Sequence, residues 1–439
     1  MAISIAIIGS GPAGFYAADA ILKSIENPVI DIIERLPTPY GLIRGGVAPD
    51  HQTTKKVAKK FEKTALADGI RYFGNVEVGR DVTLDELCQI YDVVILAIGA
   101  PADRVLTIPG ADKIGVHGSA AFVGWYNGHP DFVVLEPDLD VNAAVVIGNG
   151  NVALDIARVL VRSKSGRAKT DLPAYARDAM NASPVKDVYV LGRRGPLDAK
   201  FTNVELREML ELSECAPVVD AADLPDEIPA DMDSRDQRLA EKNLETLRAF
   251  AAFDATGKTK RAHFGFYAMP IEILGGTHVE GILVERTKIE NGQAVGTGET
   301  YEIACGLVVA AIGYRADPVP GLPFDEKRGI IPNDKGRIDQ GLYAVGWIKR
   351  GPSGVISSSR PDGVEVAEHI ARDFPKSGSK PGRDALIAML EKRSVRVVHF
   401  EDWQRLEQAE IDRAERPQPR LKFTDIDDMI EHLEGHVHG

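Results

Sequence analysis

Two glycine turns hold the residues of this sequence best suited to chemistry. Gly9-Ser-Gly11-Pro-Ala-Gly14 and Gly148-Asn-Gly150-Asn-Val152-Ala153 share one spacing, GxGxx followed by a small residue. At that spacing the first glycine permits a tight turn and the second lets backbone amides approach a pyrophosphate. The small last residue lets a helix pack closely on a strand. The helix that follows turns its positive end toward the phosphates. Glu34 ends the strand after the first turn, where a carboxylate accepts hydrogen bonds from a ribose diol. The second turn is followed instead by Gly192-Arg193-Arg194. An acidic residue there would repel a 2′-phosphate, whereas two guanidiniums clamp one, so this site reads as NADP(H) in preference to NAD(H).

Such turns need buried parallel strands to carry them. The apolar run from Ile3 to Ile8 leads into the first, and FYAADAILKSI continues from it at helical spacing. A second strand spans Val29–Ile33. The other turn has the same plan, with a strand from Val145, the helix ALDIARVLV and a strand Asp187–Leu191. About forty residues separate this turn from the arginines, twice the usual ~20, so residues 163–184 form an insertion. Two further apolar strands end in glycine, Val93 to Gly99 and Leu307 to Gly313, where a chain crosses between two domains. Gly341 to Trp347 forms one more strand, running into a helix. Two dinucleotide sites in one chain point to a flavoprotein with one resident and one visiting cofactor. The expected fold is α/β with two Rossmann-like domains, the NADP domain inserted in the FAD domain. Its boundaries are read as 1–102 and 313–375 for the FAD domain, 103–312 for the NADP domain and 376–439 for a helical extension on the FAD domain.

The 439 residues suit two or three domains. With 52 Lys+Arg against 65 Asp+Glu the net charge is -13, which excludes a bulk binder of nucleic acid or anionic membrane. No apolar run reaches the ~18 residues of a membrane span. Cys88, Cys215 and Cys305 are scattered, with no CxxC, no metal-ligand spacing and no disulfide framework. A cytoplasmic, bacterial protein is expected, its N-terminus a first strand and not a signal peptide.

Several longer motifs resemble the adrenodoxin reductase family and its bacterial ferredoxin–NADP reductase relatives over roughly residues 3–375. They are GSGPAGFYAA, PYGLIRGGVAPDH, FGNVEVGRDV, FVGWYNGHP, VIGNGNVALDIAR, LGRRGPLDAKFT with ELRE, and GWIKRGPSGVI. The resemblance implies non-covalent FAD, NADPH as hydride donor and a small iron–sulfur protein as one-electron acceptor. It implies FAD contacts at Gly9, Gly11, Ala13, Gly14, Glu34, Leu42, Val78, Trp347, Gly354, Val355 and Ile356. NADP contacts are implied at Gly148, Asn149, Gly150, Asn151, Val152, Arg193, Arg194, Glu205 and again Gly354. His51 becomes the active-site histidine, with Glu208 as its carboxylate neighbour and Asp155 as a second candidate. The family's basic partner-binding helix is thinner here, since the segment from Ser234 mixes charges.

Hydride donors give two electrons and an iron–sulfur protein takes one, a mismatch that flavin resolves. Without a CxxC the electrons leave by the flavin edge to an external acceptor. His51, with an unperturbed pKa of ~6.5, is able to relay a proton or tune that edge; a satisfied structural histidine is the plainer alternative. Glu208 also reads as a helix-surface carboxylate, and Trp347 as a packing residue. Lys55, Lys56, Lys59 and Lys60 form the densest basic cluster, read either as a docking face for an acidic ferredoxin or as a solvated helix face. The alternative function is an NADPH diaphorase or quinone reductase with no dedicated ferredoxin partner. Beyond residue 376 the sequence reads as three helices interrupted at Arg416-Pro-Gln-Pro-Arg420, without chemistry of their own.

Overall fold

The computed structural model describes residues 2–229, 232–374 and 378–435, so the junction read at 375/376 lies outside the described residues. Two six-stranded sheets organise the chain. The first runs in the order Arg337–Asp339, Leu342–Ala344, Val93–Leu96, Ser4–Ile8, Val29–Ile33, Ile70–Phe73, parallel except at the Arg337–Asp339 edge. The second runs Val116–Gly118, Leu307–Ala310, Ala143–Ile147, Asp187–Leu191, Lys260–Gly265, Cys215–Val219 and is parallel throughout. This is the expected α/β fold with two dinucleotide-binding units, the second threaded through the first. The two chain crossings lie side by side, Tyr314 pairing antiparallel with Asp103 and Arg315 with Ala102.

Alternation explains why the central strands read as unbroken apolar runs. Ile5 and Ile7 point to one layer, formed with Phe15, Ile21 and Ile370 of the Pro12–Ser24 and Ser359–Asp373 helices. Ala6 and Ile8 point to the other, with Leu87, Leu386 and Leu390 of the Leu84–Ile90 and Arg383–Lys392 helices. Both faces of a parallel strand are thus dry. In the second sheet Ala144 and Val146 face helices, but Val145 and Ile147 face Ile273, Ile282 and Ile303. Those residues belong to a three-stranded antiparallel sheet, Ala268–Leu274, Gly281–Glu290 and Gln293–Ala304, which takes the place of a helical layer. The insertion at 163–184 contains the short helices Lys164–Arg167 and Ala174–Ala182.

The C-terminal extension forms the helices Arg383–Lys392, Phe400–Asp412 and Ile426–Gly435. Trp403, Leu406 and Leu433 join the same apolar layer as Ile5 and Ile7, so the extension completes the core. It also reaches the second unit. Gln418 Nε2 donates to the Leu172 carbonyl at 2.9 Å, and Lys422 Nζ donates to the Asn127 carbonyl at 3.0 Å. Lys422 and Lys55 converge on the buried Asp171 carboxylate, 3.5 and 2.8 Å away. Burial alone would raise the Asp171 pKa, but Lys422 and Lys55 outweigh it and hold the group at about 2. The unfolded carboxyl titrates near ~4, so folding is favoured by ionised Asp171 above that pH and this contribution disappears as pH falls toward about 2. We therefore expect Asp171→Asn to cost on the order of 2–3 kcal/mol at neutral pH, with the gap to wild type closing between about pH 4 and pH 2. Chemical denaturation across that range checks it, and a pH-independent gap would assign the loss to packing.

Candidate active site

Close packing and open space divide the glycines of the two turns. A Cβ at Gly9 would lie 2.6 Å from the Ala97 carbonyl oxygen, and one at Gly14 would lie 2.2 Å from that of Gly9. At Gly148 it would stand 2.2 Å from the Ala311 carbonyl oxygen. These glycines are required by the protein's own backbone. Gly11 and Gly150 differ: a Cβ there would meet nothing within 4 Å. Each turn therefore keeps free space over the N-terminus of its helix, Pro12–Ser24 or Asn151–Val161, as a bound pyrophosphate requires.

Around the first turn, Glu34 Oε2 accepts hydrogen bonds from the Ser10 amide and hydroxyl at 3.0 and 2.7 Å, and Oε1 accepts from the Leu36 amide. Glu34 is thereby fixed at the rim of a cleft lined by Thr38, Gly41, Asn127 and His129. Ala13 meets Gly346, which brings the turn before Trp347 against the helix start. The Trp347 indole donates to the Ser353 carbonyl at 3.2 Å, and its ring lies 5.7 Å from Tyr314. Val78 and Trp347 pack against the sheet's second apolar layer, while Leu42 and Val355 leave 44% and 54% of their surface exposed. Gly354 has φ +84° in the loop before the Ile356 turn.

At the second turn, Asn149 lies over Gly192, leaving no room for a side chain at that position. Asn151 Oδ1 accepts from the Thr202 amide at 2.7 Å. The turn is thus tied to the loop carrying the exposed Arg193 and the half-exposed Arg194, whose Nη1 is 3.5 Å from Asp198. Val152 packs against the core beneath.

His51 lies between the two turns. Its Nε2 is 2.8 Å from Glu208 Oε2 and 3.2 Å from Glu205 Oε2, while Nδ1 is 4.0 Å from Asp155. The expected Glu208 partnership is present. Asp155 is a more distant neighbour, bonded chiefly to Arg158 at 2.7 Å. Glu205, expected only as an NADP contact, also reaches the histidine. Three residues that the sequence reading passed over hold the cluster together. Arg158 is fully buried and its Nε donates to Asp50 Oδ2 at 2.7 Å; Arg162 also donates to Asp50. Their only sequence signals are Asp50 beside His51 and Arg158 one helical turn after Asp155. Burial depresses the His51 pKa, but the Glu208 hydrogen bond and the Asp155 and Asp50 charges outweigh burial and Arg158, leaving it raised. Burial raises the Glu205 carboxyl. Glu208 is also opposed by burial, yet His51 and Arg158 bring it below the ordinary value.

The lysine cluster departs from expectation. The helix breaks into Gln52–Lys55 and Ala58–Ala65, and Lys55 turns inward onto Asp171 with only 12% of its side chain exposed. Lys60 pairs with Asp19 at 3.3 Å and sits over the Tyr16 ring. Lys56, Lys59 and Lys60 are exposed, so Lys55 is the one of the four that leaves the solvated face.

A family model described as "Pyridine nucleotide-disulphide oxidoreductase" matches residues 3–211. The chain is 40% identical to the mitochondrial NADPH:adrenodoxin oxidoreductase of Arabidopsis thaliana, over 98% of this chain and 95% of that protein. It is also 40% identical to the NADPH-ferredoxin reductase FprA of Mycobacterium tuberculosis (strain ATCC 25618 / H37Rv), over 97% of this chain and 98% of that one. The structure of M. tuberculosis FprA in complex with NADPH matches with a TM-score of 0.94, covering 99% of this chain and 100% of that chain.

The two kinds of glycine separate binding from folding. Gly150→Ala is expected to leave expression and thermal stability unchanged while weakening NADPH binding at least about tenfold, about 1.4 kcal/mol. Gly14→Ala, with its clash against the Gly9 carbonyl, is expected to reduce soluble protein. Isothermal titration with NADP+ and a thermal melt check the pair.

Proposed function

This chain belongs to the adrenodoxin reductase family, and from that premise we propose that it is an NADPH-dependent FAD flavoenzyme that takes a hydride from NADPH and passes single electrons to a ferredoxin-type iron–sulfur protein. One observation carries the reading. Asp50 and His51, from the first unit, meet Arg158 and Glu208 of the second, so both units contribute to one set of ionisable groups. Bound FAD supplies the conversion between two-electron and one-electron chemistry.

The chain's own residues bind, orient and shield. Gly9, Gly11, Ala13 and Gly14 receive the FAD pyrophosphate, and Glu34 the adenosine ribose. Leu42, Val78, Trp347 and the Gly354-Val355-Ile356 turn take the remaining FAD contacts, which accounts for the exposure of Leu42 and Val355. The Gly148 to Val152 turn receives the NADP pyrophosphate, Arg193 and Arg194 the 2′-phosphate, and Glu205 with Gly354 the nicotinamide end. His51, backed by Glu208 and Asp155, holds a proton near the flavin edge, since hydride transfer itself needs no general acid. Residues 1–102 and 313–375 make the FAD domain, 103–312 the NADP domain, with the extension from 376 belonging to the former. We assign the enzyme to the ferredoxin–NADP+ or adrenodoxin-type reductases and to the cytoplasm, in line with its three dispersed cysteines. Among the described residues no helix is long and apolar enough to cross a membrane.

Cytochrome c reduction with NADPH or NADH, with and without a low-potential ferredoxin, tests the function. Strong ferredoxin stimulation with NADPH preferred is expected; high turnover indifferent to ferredoxin would identify a diaphorase. Replacing Arg193 and Arg194 together by alanine should raise the NADPH KM about 10–100-fold, the loss of roughly 1.4–2.8 kcal/mol of charge-assisted bonding, and leave the NADH KM nearly unchanged. Docking is proposed at Lys56 and Lys59, both exposed and neither paired with Asp171 or Asp19 as Lys55 and Lys60 are. Charge reversal of Lys56 and Lys59 should raise the ferredoxin KM, more so at low salt, with NADPH-to-ferricyanide turnover intact. Unchanged ferredoxin kinetics would move the docking site elsewhere.

A further inference from the structure

Nε2 of His51 has more partners than its chemistry allows. Arg158 Nη2 lies 2.7 Å from it and Glu208 Oε2 lies 2.8 Å from it. A guanidinium only donates and an ionised carboxylate only accepts. The ring nitrogen presents either a lone pair to the first or a proton to the second, so the two bonds exclude each other. The same conflict appears on the arginine. Nη2 carries two hydrogens and faces three acceptors: Asp50 Oδ1 at 3.1 Å, Asp155 Oδ1 at 2.7 Å and the histidine. A protonated Nε2 resolves both conflicts at once, because Arg158 then gives its two hydrogens to the aspartates while the ring donates to Glu208.

Arg158 is the fixed member of this set. Its side chain is fully buried, its Nε is held by Asp50, and it rides on the Asn151–Val161 helix. The glutamates are looser. Glu205 and Glu208 leave 21% and 31% of their side chains exposed, and Glu205 Oε2 is buried without a hydrogen-bond partner, 4.0 Å from Arg158 Nη1, which also lacks one. The charged groups that face the ring from the surrounding elements are Asp50, Asp155, Glu205, Glu208, Arg158 and, through Asp50, Arg162.

We propose that Arg158 is a positioning residue that competes with Glu208 for Nε2 of His51, so that the ring's proton and the Glu208 carboxylate move together. With a neutral ring that carries its hydrogen on Nδ1, Nε2 accepts from Arg158 and Glu208 turns toward solvent. With a proton on Nε2, the ring engages Glu208, and Glu205 beside it. The site therefore has two arrangements, which differ by one proton, one carboxylate rotation and the aspartate contact that Nη2 exchanges for the ring. Its relevance to turnover rests on the function proposed above, whereas the competition itself is a property of the cluster.

The titration of the His51 ring, followed by NMR of histidine-labelled full-length protein and assigned by the resonance lost in His51→Gln, tests the competition directly. Arg158→Lys keeps the cation on Asp50 but removes the second donor, so the midpoint should rise by about one pH unit. Glu208→Gln leaves a neutral acceptor but removes the carboxylate charge that favours the protonated ring, and should lower it by a similar amount. Glu208 is half-exposed, so this second variant reads the competition even if Arg158→Lys does not fold. Midpoints in both variants indistinguishable from wild type, or a fall in Arg158→Lys, would overturn the proposal. The pH limb of kcat with NADPH should follow the same directions, with the NADPH KM steady in Arg158→Lys. A wild-type protein inactive with NADPH would sink the proposed function and leave the titration result standing.

Discussion

A buried guanidinium has to be surrounded, and the surroundings of Arg158 determine how the two halves of this molecule meet. Arg158 comes from the helix of the second glycine turn, whereas Asp50 and His51 follow the first. Asp171 repeats the arrangement with the sign reversed, a buried carboxylate of the second unit held by Lys55 of the first and Lys422 of the extension. Pairs of this kind contribute little net stability, since desolvation offsets most of their attraction. What they impose is geometry, because any displacement strands a buried charge at a cost of several kcal/mol. The relative placement of the two sheets is thus set by these ionic contacts together with the hydrogen bonds from Gln418 and Lys422 to Leu172 and Asn127.

That placement gives the glycine turns their meaning. Gly9 and Gly148 are pressed against the carbonyls of Ala97 and Ala311, each on the segment leaving the strand next to its own. In both sheets the central strand has its successor on one side and a later strand on the other, which opens a crevice at its C-terminal end. Two crevices alone would make two independent binding sites. They are joined through His51, which follows the first turn and meets Arg158 of the helix that starts at the second.

What could be read from the sequence was what is local. Each turn, the strand before it and the helix after it lie within about twenty residues, and their spacing reports backbone constraints that hold in any context. Glu208 came from a resemblance of motifs, and its contact with His51 spans 157 positions. Arg158 closes the motif VIGNGNVALDIAR but had no role assigned to it; an arginine on an amphipathic helix normally reads as surface, and only tertiary packing made it the most buried cation of the site. Lys55 was misjudged for the converse reason. Its neighbours Lys56, Lys59 and Lys60 suggested one solvated helix, but the chain breaks after Lys55 and its charge answers Asp171, 116 positions away. The antiparallel sheet over Val145 and Ile147 escaped notice because a helical layer and a sheet layer ask for the same apolar strand beneath them.

The C-terminal extension follows from a weakness in the first site. The Gly41 to Gly46 segment, on the rim of the cleft beside Glu34, includes three glycines and begins with positive φ at Tyr40 and Gly41. Such a segment has few side chains to hold itself and loses much backbone entropy on ordering. Ile43 is buried in the core, and Arg44 anchors the segment to the extension. Its guanidinium forms a two-pronged pair with the fully buried Glu410 at 2.9 and 2.5 Å, donates to the Phe423 carbonyl and covers the Trp403 ring. Glu410, Phe423 and Trp403 all belong to the extension. Lys422 closes the loop by donating to the Arg44 carbonyl at 3.1 Å while it neutralises Asp171. A stretch of chain with no chemistry of its own thus orders the glycine-rich rim of one site and, through the same lysine, locks the unit that carries the other.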